Sequence, residues 1–256
     1  MPLENKDLKA YAVQLRELHH ADEMLVLPNA WDAASAKIIA EAGFPAIATS
    51  SAAFAAMLGY PDGEAAPWPE MFAVAGWIAR AVSVPVTVDA EAGYGLPPRE
   101  FVDRLLEIGV AGCNLEDTDH RGGGLVDAGA QAERLAAVRS AAEDTGIPIV
   151  INARVDVFLP ASGVAEDDRL AEAIRRGRRY LAAGADCVYP IGVGDERAIA
   201  TLVAELPGPV NGNTRPGVLG LAKLRELGVA RVSYGPRFYR QALAGLEAAV
   251  RQELLA

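Results

Sequence analysis

Two acidic side chains directly follow a β-branched apolar run in residues 84–95 (VPVTVDAEAGYG), namely Asp89 and Glu91. Strand alternation predicts that side chains two residues apart point to the same side. Glu116 ends the next such run, GCNLED, which predicts a third acid one strand away. Acids this close raise one another's pKa values unless a cation lies among them. Their oxygens predict a Mg²⁺ site, with Mn²⁺ as an alternative, and no His/Cys cluster supports zinc. The competing interpretation is that Glu91 caps a helix and Asp117 is a solvated loop acid.

Two further segments carry groups that suit anionic ligands. Arg154 ends the run PIVINAR, where a guanidinium can bind a substrate carboxylate through two hydrogen bonds. A structural salt bridge to a nearby acid is the alternative. The segment ATSSAAFAAMLGYPDGE begins with Ser50, Ser51 and Ala52, whose small side chains allow backbone N–H groups to approach an anion. A tight turn that needs small residues for packing is the alternative.

The elements that must position these groups recur in a regular order. Short β-branched runs end in polar residues and alternate with Ala/Leu/Arg/Glu-rich helical stretches. The predicted strands are 24–29, 45–50, 85–90, 112–117, 148–154, 186–191, 208–213 and 230–235. Eight strand–helix units predict an α/β fold of the (β/α)₈ TIM-barrel type, with a doubly wound sheet as the alternative. Active sites of such barrels lie at the carboxyl ends of the strands, where the acids occur.

Composition limits the class of protein. The chain has 256 residues, 51% of them hydrophobic, which suffices for one large core in a single domain. We expect residues 1–22 to form a helical extension and residues 236–256 a C-terminal helix. A net charge of −10 argues against nucleic acid as a partner. Two cysteines and the lack of a signal peptide or a membrane-length apolar run predict a cytoplasmic protein.

These motifs together resemble the isocitrate lyase / phosphoenolpyruvate mutase superfamily over nearly the whole chain. The matching segments are 25–64, VDAEAGYG, GCNLED, INARVD and GADCVYP. The resemblance implies that Asp89, Glu91 and Glu116 hold Mg²⁺ directly or through water, and that Asp62 is a gate-loop acid near the metal. It also implies that Asp89, Arg154 and the segment Ser50, Ser51 and Ala52 bind the substrate, together with Asn211 if a gap is allowed in the alignment. Relatives are dimers or tetramers that often exchange their last helix, so a homodimer or homotetramer is expected.

The segment that distinguishes reactions within the superfamily is altered. Lyases carry a Lys-Lys-Cys-Gly-His loop after this strand and mutases a Lys and an Asn, whereas residues 116–127 read EDTDHRGGGLVD. His120 is the candidate acid or base there, although a loop histidine is more often solvated. The glycines 122–124 predict a flexible lid. Cys113 and Cys187 are expected in the core, the run RRGRRY on a solvated helix face or subunit contact, and His19 and His20 at the surface.

The pattern predicts an enzyme that acts on a small anionic 2-oxo or enolpyruvate-type acid. Our first hypothesis is a Mg²⁺-dependent lyase or decarboxylase that cleaves a C–C bond of a 2-oxo or 2-hydroxy dicarboxylic acid through a pyruvate-type enolate. Asp62, Arg154 and His120 are its predicted catalytic residues. A phosphonomutase is the alternative chemistry. A non-catalytic 2-oxo acid binding protein is the alternative of another class.

Overall fold

The structure, a computed structural model, describes residues 7–214 and 217–254. All eight predicted strands are present, and each is short and largely buried. They are β1 (Leu25–Leu27), β2 (Asn29–Ala30), β3 (Ile47–Thr49), β4 (Val86–Asp89), β5 (Gly112–Glu116), β6 (Val150–Val155), β7 (Cys187–Pro190), β8 (Asn211–Asn213) and β9 (Arg231–Ser233).

Pro28 divides the first predicted strand into β1 and β2, which pair with different neighbours. Strand β1 pairs with β9, and β9 pairs with β8. Strand β2 begins a sheet that continues through β3, β4, β5, β6 and β7 in chain order. A bridge between Val188 and Val210 links β7 to the start of β8. Because the strand pairings are all parallel and follow chain order, the fold is TIM-barrel-like, as predicted.

Helices connect the strands. They are α1 (Leu8–Leu18), α2 (Ala33–Glu41), α3 (Ser51–Leu58), α4 (Trp68–Ala81), α5 (Pro98–Glu107), α6 (Ala128–Asp144), α7 (Arg169–Ala182), α8 (Glu196–Glu205), α9 (Leu221–Glu226) and α10 (Arg237–Leu254). Asp32 caps α2 by accepting a 2.7 Å hydrogen bond from the Ser35 amide. Helix α3 directly follows Ser50, whose side chain caps it by accepting a hydrogen bond from the Ala53 amide.

Helix α1 packs against the amino ends of the strands, away from the predicted site. It lies within the expected extension 1–22, of which residues 1–6 fall outside the described part of the chain. Ala12 and Leu15 are fully buried in a cluster with residues near the starts of the strands. Gly112 permits this contact, because a Cβ atom there would lie 2.7 Å from the Val150 carbonyl oxygen and 3.0 Å from Leu15.

His19, at the end of α1, is only 2% exposed, so the prediction that it is a surface group is wrong. Its Nδ1 lies 2.7 Å from the Leu15 carbonyl oxygen, and its Nε2 lies 3.4 Å from Nη1 of the fully buried Arg231. Burial and Arg231 lower the pKa of His19 to about 3. The ring is therefore a neutral structural link between α1 and β9.

Helix α10 covers the predicted C-terminal helix 236–256 except residues 255 and 256, which lie outside the described residues. No residue of α10 is buried. Four apolar side chains form an exposed stripe on it: Leu243, Leu246, Val250 and Leu254. Its contact with the barrel includes an edge-to-face pair of the Trp31 and Tyr239 rings, 5.7 Å apart. None of the helices in the described part of the chain is long and apolar enough to cross a membrane.

Candidate active site

Two adjoining cavities open at the carboxyl ends of the strands. The larger has a volume of about 640 Å³ and the smaller about 270 Å³. The larger is lined by six predicted site residues: Ser50, Ser51, Ala52, Asp62, Asp89 and Arg154. The smaller is lined by Glu91, Glu116 and His120, and it shares Ser51, Asp62 and Arg154 with the larger. The fold thus gathers every predicted site residue except Asn211 into one continuous region.

Asp89 is the last residue of β4 and is held only by neutral donors. Its Oδ2 accepts hydrogen bonds from the Ser51 hydroxyl at 2.9 Å and the Ser51 amide at 3.2 Å. Its Oδ1 lies 3.4 Å from Asn114 Nδ2. The small residues after β3 therefore let a backbone amide approach an anion, and this anion is the Asp89 carboxylate. Since no cation of the described chain pairs with Asp89, its charge remains available at the cavity wall.

Glu91 lies beyond the end of β4, so the strand alternation that predicted a shared direction with Asp89 does not extend to it. The strand ends at Asp89, and Glu91 adopts a left-handed backbone with φ of 49°. Its Oε1 accepts hydrogen bonds from the amides of Gly63 at 3.0 Å and Glu64 at 2.8 Å, and its Oε2 accepts one from the Tyr94 hydroxyl. The carboxylate thereby fastens the loop that contains Asp62.

Backbone strain is concentrated in the two loops that Glu91 connects. The only non-glycine residues with positive φ in the described chain are Glu64, Glu91 and Tyr94. The Glu64 carboxylate accepts a 2.5 Å hydrogen bond from the Tyr94 amide, so the two loops are linked in both directions. Such conformations cost roughly 1–3 kcal/mol each and persist where the surroundings enforce them. Burial raises the pKa of Glu91, and burial and Asp89 raise that of Asp62.

Arg154 is bound by two acids rather than free. Its Nε and Nη2 donate to Asp156 at 2.7 and 2.9 Å, and its Nη1 lies 2.5 Å from Glu116 Oε2. The structural salt bridge offered as the alternative therefore exists. A guanidinium has five N–H donors, and the hydrogen bonds to Asp156 use two of them. The side chain lines both cavities, where the remaining N–H groups can donate to a ligand.

His120 lies against Glu116 and is not a solvated loop residue. Its Nε2 is 2.6 Å from Glu116 Oε1, and its side chain is 17% exposed. Burial raises the pKa of Glu116 to about 7, and the contact with Glu116 raises the pKa of His120. The pair therefore holds a proton beside Arg154 at neutral pH.

The loop that follows Glu116 is a hydrogen-bonded turn. Asp119 Oδ1 accepts from the amides of Arg121 at 3.0 Å and Gly122 at 2.8 Å, and Thr118 bridges to Leu125. This turn positions His120. Motion of the glycine segment as a lid stays a prediction.

The structure does not place Asn211 in the cavity. Asn211 is fully buried. Its Oδ1 accepts a 3.1 Å hydrogen bond from the Ser233 hydroxyl, and its Nδ2 donates a 2.9 Å hydrogen bond to the Gly212 carbonyl oxygen. Asn213 lines the cavity instead and donates a 2.9 Å hydrogen bond to the Tyr189 hydroxyl. Both asparagines lie on the short strand β8, two residues apart and therefore on the same face. Alternation alone could not predict which of them lies at the cavity, because it does not show where the strand ends.

Several cavity residues were not among the predicted site residues. They include Asn29, Asn114, Tyr189, Ile191, Asn213, Ser233, Tyr234, Arg237, Arg240 and Gln241. Asn114 could have been predicted from sequence, because it lies two residues before Glu116 in β5 and strand alternation points both side chains to the same side. No comparable signal marked Arg237 and Arg240, because they belong to a helix whose docking on the rim depends on tertiary structure.

Two polar side chains near the site are buried: Asp117, which the competing interpretation took as a solvated loop acid, and Arg176, whose neighbours Arg175, Arg178 and Arg179 are exposed as expected for the run RRGRRY. Asp117 is fully buried rather than solvated, since Arg176 Nη1 at 2.9 Å and the Tyr180 hydroxyl at 2.7 Å donate to its Oδ2. Arg176, in the run RRGRRY, is therefore a core residue, 6% exposed. Cys113 and Cys187 are buried, as predicted.

The predicted metal cluster can be tested against this geometry. Within residues 7–214 and 217–254, no three His, Cys, Asp or Glu side chains lie close enough together to hold a metal ion by themselves. The reason is that Glu91 is engaged by amides and Glu116 by Arg154 and His120. Mg²⁺ commonly takes only one or two carboxylates and retains several waters. Asp89, which no cation pairs, is therefore the predicted acid whose surroundings fit Mg²⁺ with water as its other ligands, and the metal roles of Glu91 and Glu116 stay predictions.

Comparison with known proteins assigns this TIM-barrel-like fold, with acids and an arginine at its carboxyl rim, to a class of lyases and mutases. Residues 15–254 match the family model described as phosphoenolpyruvate phosphomutase. The chain belongs to this family, within the isocitrate lyase / phosphoenolpyruvate mutase superfamily of C–C lyases and phosphonomutases.

Individual relatives agree with this membership. The chain is 35% identical to an uncharacterized protein of Mycobacterium tuberculosis (strain ATCC 25618 / H37Rv), over 93% of this chain and 86% of that protein. It is 31% identical to 2,3-dimethylmalate lyase of Eubacterium barkeri, over 85% and 77% of the two chains. A crystal structure from Burkholderia cenocepacia J2315, provisionally described as a phosphonomutase, superposes with a TM-score of 0.87 at 40% identity and covers 96% of this chain and 99% of that one.

Proposed function

We propose that this protein is a cytoplasmic, Mg²⁺-dependent lyase or decarboxylase that cleaves a C–C bond of a small 2-oxo or 2-hydroxy dicarboxylic acid. The observation that carries the proposal is the arrangement of Asp89, Arg154 and the His120–Glu116 pair around two joined cavities. One rim thus holds Asp89, a carboxylate without a cationic partner, Arg154, which can bind an anion, and the His120–Glu116 pair, which can carry a proton.

Arg154 has the geometry to orient a substrate carboxylate. Asp156 accepts two hydrogen bonds from its guanidinium and Glu116 forms an ion pair with Nη1, so its orientation is fixed while N–H groups remain for a substrate carboxylate. Ser51 lies beside it, on the wall that both cavities share. The substrate's acid end would therefore lie between Arg154 and Asp89. Mg²⁺, when bound at Asp89, would supply the positive charge that stabilises a developing enolate.

His120 and Glu116 supply the proton that the reaction requires. In decarboxylation of a 2-oxo acid, the C3–C4 bond breaks, CO₂ leaves, and the electron pair moves into the enolate, which is then protonated at C3. A pair that holds a proton near neutral pH is suited to that last transfer. A 2-hydroxy acid needs a base first. The base removes the hydroxyl proton, the oxygen forms the 2-oxo C=O bond as the C2–C3 bond breaks, and the electron pair leaves on C3 as an enolate that is then protonated.

Phosphonomutase chemistry is the second candidate. It is favoured by the family model and by the 40% identity to the Burkholderia cenocepacia protein. Two observations disfavour it. The loop after β5 lacks the Lys and Asn that the resemblance associates with mutases. Among the described residues, Arg154 and a protonated His120 are the only cations that line the smaller cavity.

The experiment that tests the proposal is an NMR assay with Mg²⁺ against oxaloacetate, 2,3-dimethylmalate, 2-methylisocitrate, isocitrate, phosphonopyruvate and phosphoenolpyruvate. Reactions without enzyme correct for spontaneous decarboxylation. Asp89→Asn should remove the activity, whereas Asp103→Asn, an exposed acid that pairs with Arg99 on α5, should retain it. Conversion of only the phosphonate substrate would establish the second candidate, and no turnover of any substrate above the Asp89→Asn background would refute the proposal.

A further inference from the structure

Arg231, on the last strand β9, is a fully buried cation without an acid as its partner. Arginine keeps its positive charge in proteins, and a charge in the interior is costly unless an opposite charge lies near it. Within residues 7–214 and 217–254, the hydrogen-bond contacts of its guanidinium are to His19 and Asn114, and its buried Nε has no hydrogen-bond partner. The compensation for this charge must therefore come from beyond its direct contacts.

Both contacts of Arg231 are to neutral groups, and one of them crosses the barrel. Its Nη1 lies 3.4 Å from Nε2 of the neutral His19 ring, and its Nη2 donates at 3.2 Å to Oδ1 of Asn114. Strands β5 and β9 are not neighbours in either sheet, so the contact with Asn114 passes through the barrel interior. Arg231 thus lies inside the barrel and reaches a residue of the strand that ends at Glu116.

Asn114 connects this cation to Asp89. Its Oδ1 accepts hydrogen bonds from Arg231 and, at 2.8 Å, from Asn152 Nδ2. Arginine can only donate, so the carbonyl oxygen of the Asn114 amide must face it. The NH₂ group then points the other way, and its Nδ2 lies 3.4 Å from Asp89 Oδ1. Arg231 therefore fixes the orientation in which Asn114 presents a donor to Asp89, and one side chain separates the cation from the carboxylate.

The charges of Arg231 and Asp89 also act on each other directly. Burial lowers the pKa of Arg231, and the negative charge of Asp89 acts in the opposite direction. Charges in the interior interact more strongly than charges in water, because the effective dielectric constant is lower. A metal cation that binds Asp89 from the cavity meets the positive charge of Arg231 on the other side of the same carboxylate. That repulsion should weaken the binding of the metal.

We propose that Arg231 is a positioning residue that sets the affinity of Asp89 for Mg²⁺ from inside the barrel: it orients Asn114 toward Asp89, and its charge opposes that of the metal. This inference rests on the proposed function, because it assumes that Mg²⁺ binds at Asp89. The residue touches neither of the two cavities at the rim. Its effect on the metal is therefore exerted through Asn114 and through the electric field in the interior.

Titration of the substrate-free protein with Mn²⁺ tests the inference, with the free ion measured by electron paramagnetic resonance and Mg²⁺ affinity obtained by competition. In Arg231→Met, which fills the space without a charge, we expect about tenfold tighter binding of both ions. A merely structural role predicts the opposite, because a disordered Asn114 and Asp89 would bind metal more weakly. Arg99→Met removes an exposed cation on α5 and should bind metal as wild type does.

A second pair of variants leaves Arg231 in place. Cys187 is fully buried, and Arg231 acts on its thiol, whose pKa burial raises to about 12. Cys187→Asp places a negative charge near Arg231, and Cys187→Asn is a neutral control of the same size. We expect metal affinity to be about tenfold higher in Cys187→Asp than in Cys187→Asn, because the added carboxylate neutralises the buried cation.

The outcomes separate the inference from the proposed function. Equal Mn²⁺ affinity in wild type and Asp89→Asn would refute the metal site, and both proposals would fail. If Asp89→Asn weakens binding but Arg231→Met binds as wild type does or more weakly, the metal site stands and the inference is overturned. Thermal melting shows which variants are folded. Should Arg231→Met not fold, equal affinity in the two Cys187 variants would overturn the inference.

Discussion

His120 Nε2 lies 2.6 Å from Glu116 Oε1, so two residues with separate predicted roles form one unit. The sequence assigned Glu116 to a metal and His120 to acid–base chemistry. Their contact, together with that of Glu116 to Arg154, joins proton transfer and anion binding through one carboxylate. A change at any of the three side chains should therefore alter the other two.

Removal of the imidazole should slow turnover without unfolding the loop. We expect His120→Gln to lower kcat by ~10²-fold, the usual contribution of a positioned acid or base, with little change in KM. Steady-state kinetics on the substrate found by NMR measures this. Arg121→Gln, at an exposed neighbour in the same turn, serves as the control and should remain active. An unchanged kcat in His120→Gln would show that the histidine only orders the loop.

Arg154 at the cavity and Arg176 in the core each contact two acids, so substitutions at these two positions separate effects on substrate binding from effects on stability. Arg154 contacts Glu116 and Asp156, and Arg176 contacts Asp117 and Glu172. Lysine at either position should cost about 1–3 kcal/mol of unfolding free energy, because hydrogen bonds to charged groups are lost. Only Arg154→Lys should also lower kcat/KM, by ~10²-fold. Chemical denaturation and kinetics measure the two effects, and an equal loss of kcat/KM in Arg176→Lys would contradict the assignment.

The buried His19 should make stability depend on pH. Its pKa is lowered from 6.5 to about 3 in the folded state, by burial first and then by Arg231. The unfolded chain therefore binds this proton at higher pH than the folded chain does. The contribution of His19 to stability is complete above pH 6.5 and falls as the pH is lowered toward 3, by about 1 kcal/mol per pH unit.

Comparison of wild type with His19→Gln separates the pH dependence caused by His19 from that caused by the acids. The difference in unfolding free energy between wild type and His19→Gln should shrink as pH falls from 7 to 5, whereas His20→Gln, at an exposed position, should show no such trend. Urea denaturation at several pH values provides the measurement. A difference that stays constant over this range would mean that the folded protein already binds a proton at His19.

The exposed apolar stripe on α10 predicts association with a second copy of the chain. Leu243, Leu246, Val250 and Leu254 are between 40% and 73% exposed and recur at helical spacing. We expect a homodimer or homotetramer by light scattering, in which the last helix is covered by or exchanged with a neighbour. Leu246→Glu should shift the protein toward monomer, while Ala248→Glu on the opposite face should not. A wild-type monomer at micromolar concentration would refute this prediction.

The barrel could be predicted from sequence because each strand is marked by a local pattern of residue types. β-Branched runs that end in polar residues, with glycines that terminate the helices, gave all eight strands. The same alternation failed at Glu91, because β4 ends at Asp89 and the next residues enter a left-handed turn. A pattern of residue types shows where a strand occurs more reliably than where it stops.

Contacts between distant elements explain the other differences. His19 is buried because α1 closes the barrel against β9, and Asp117 because α7 brings Arg176 and Tyr180 to it. In each case a polar residue looked solvated in sequence because its partner lies far along the chain. Arg237 was overlooked for the same reason, since only the docked α10 brings it to the cavity.

The two faces of α10 have a consequence for how the enzyme would respond to dilution. One face lines the cavity, and an adjacent face carries the exposed apolar stripe. A neighbouring subunit bound to the stripe would also restrain the part of the same helix that lines the cavity. The shape of the cavity would then depend on the assembly, and we expect substrate affinity to decline as subunits separate.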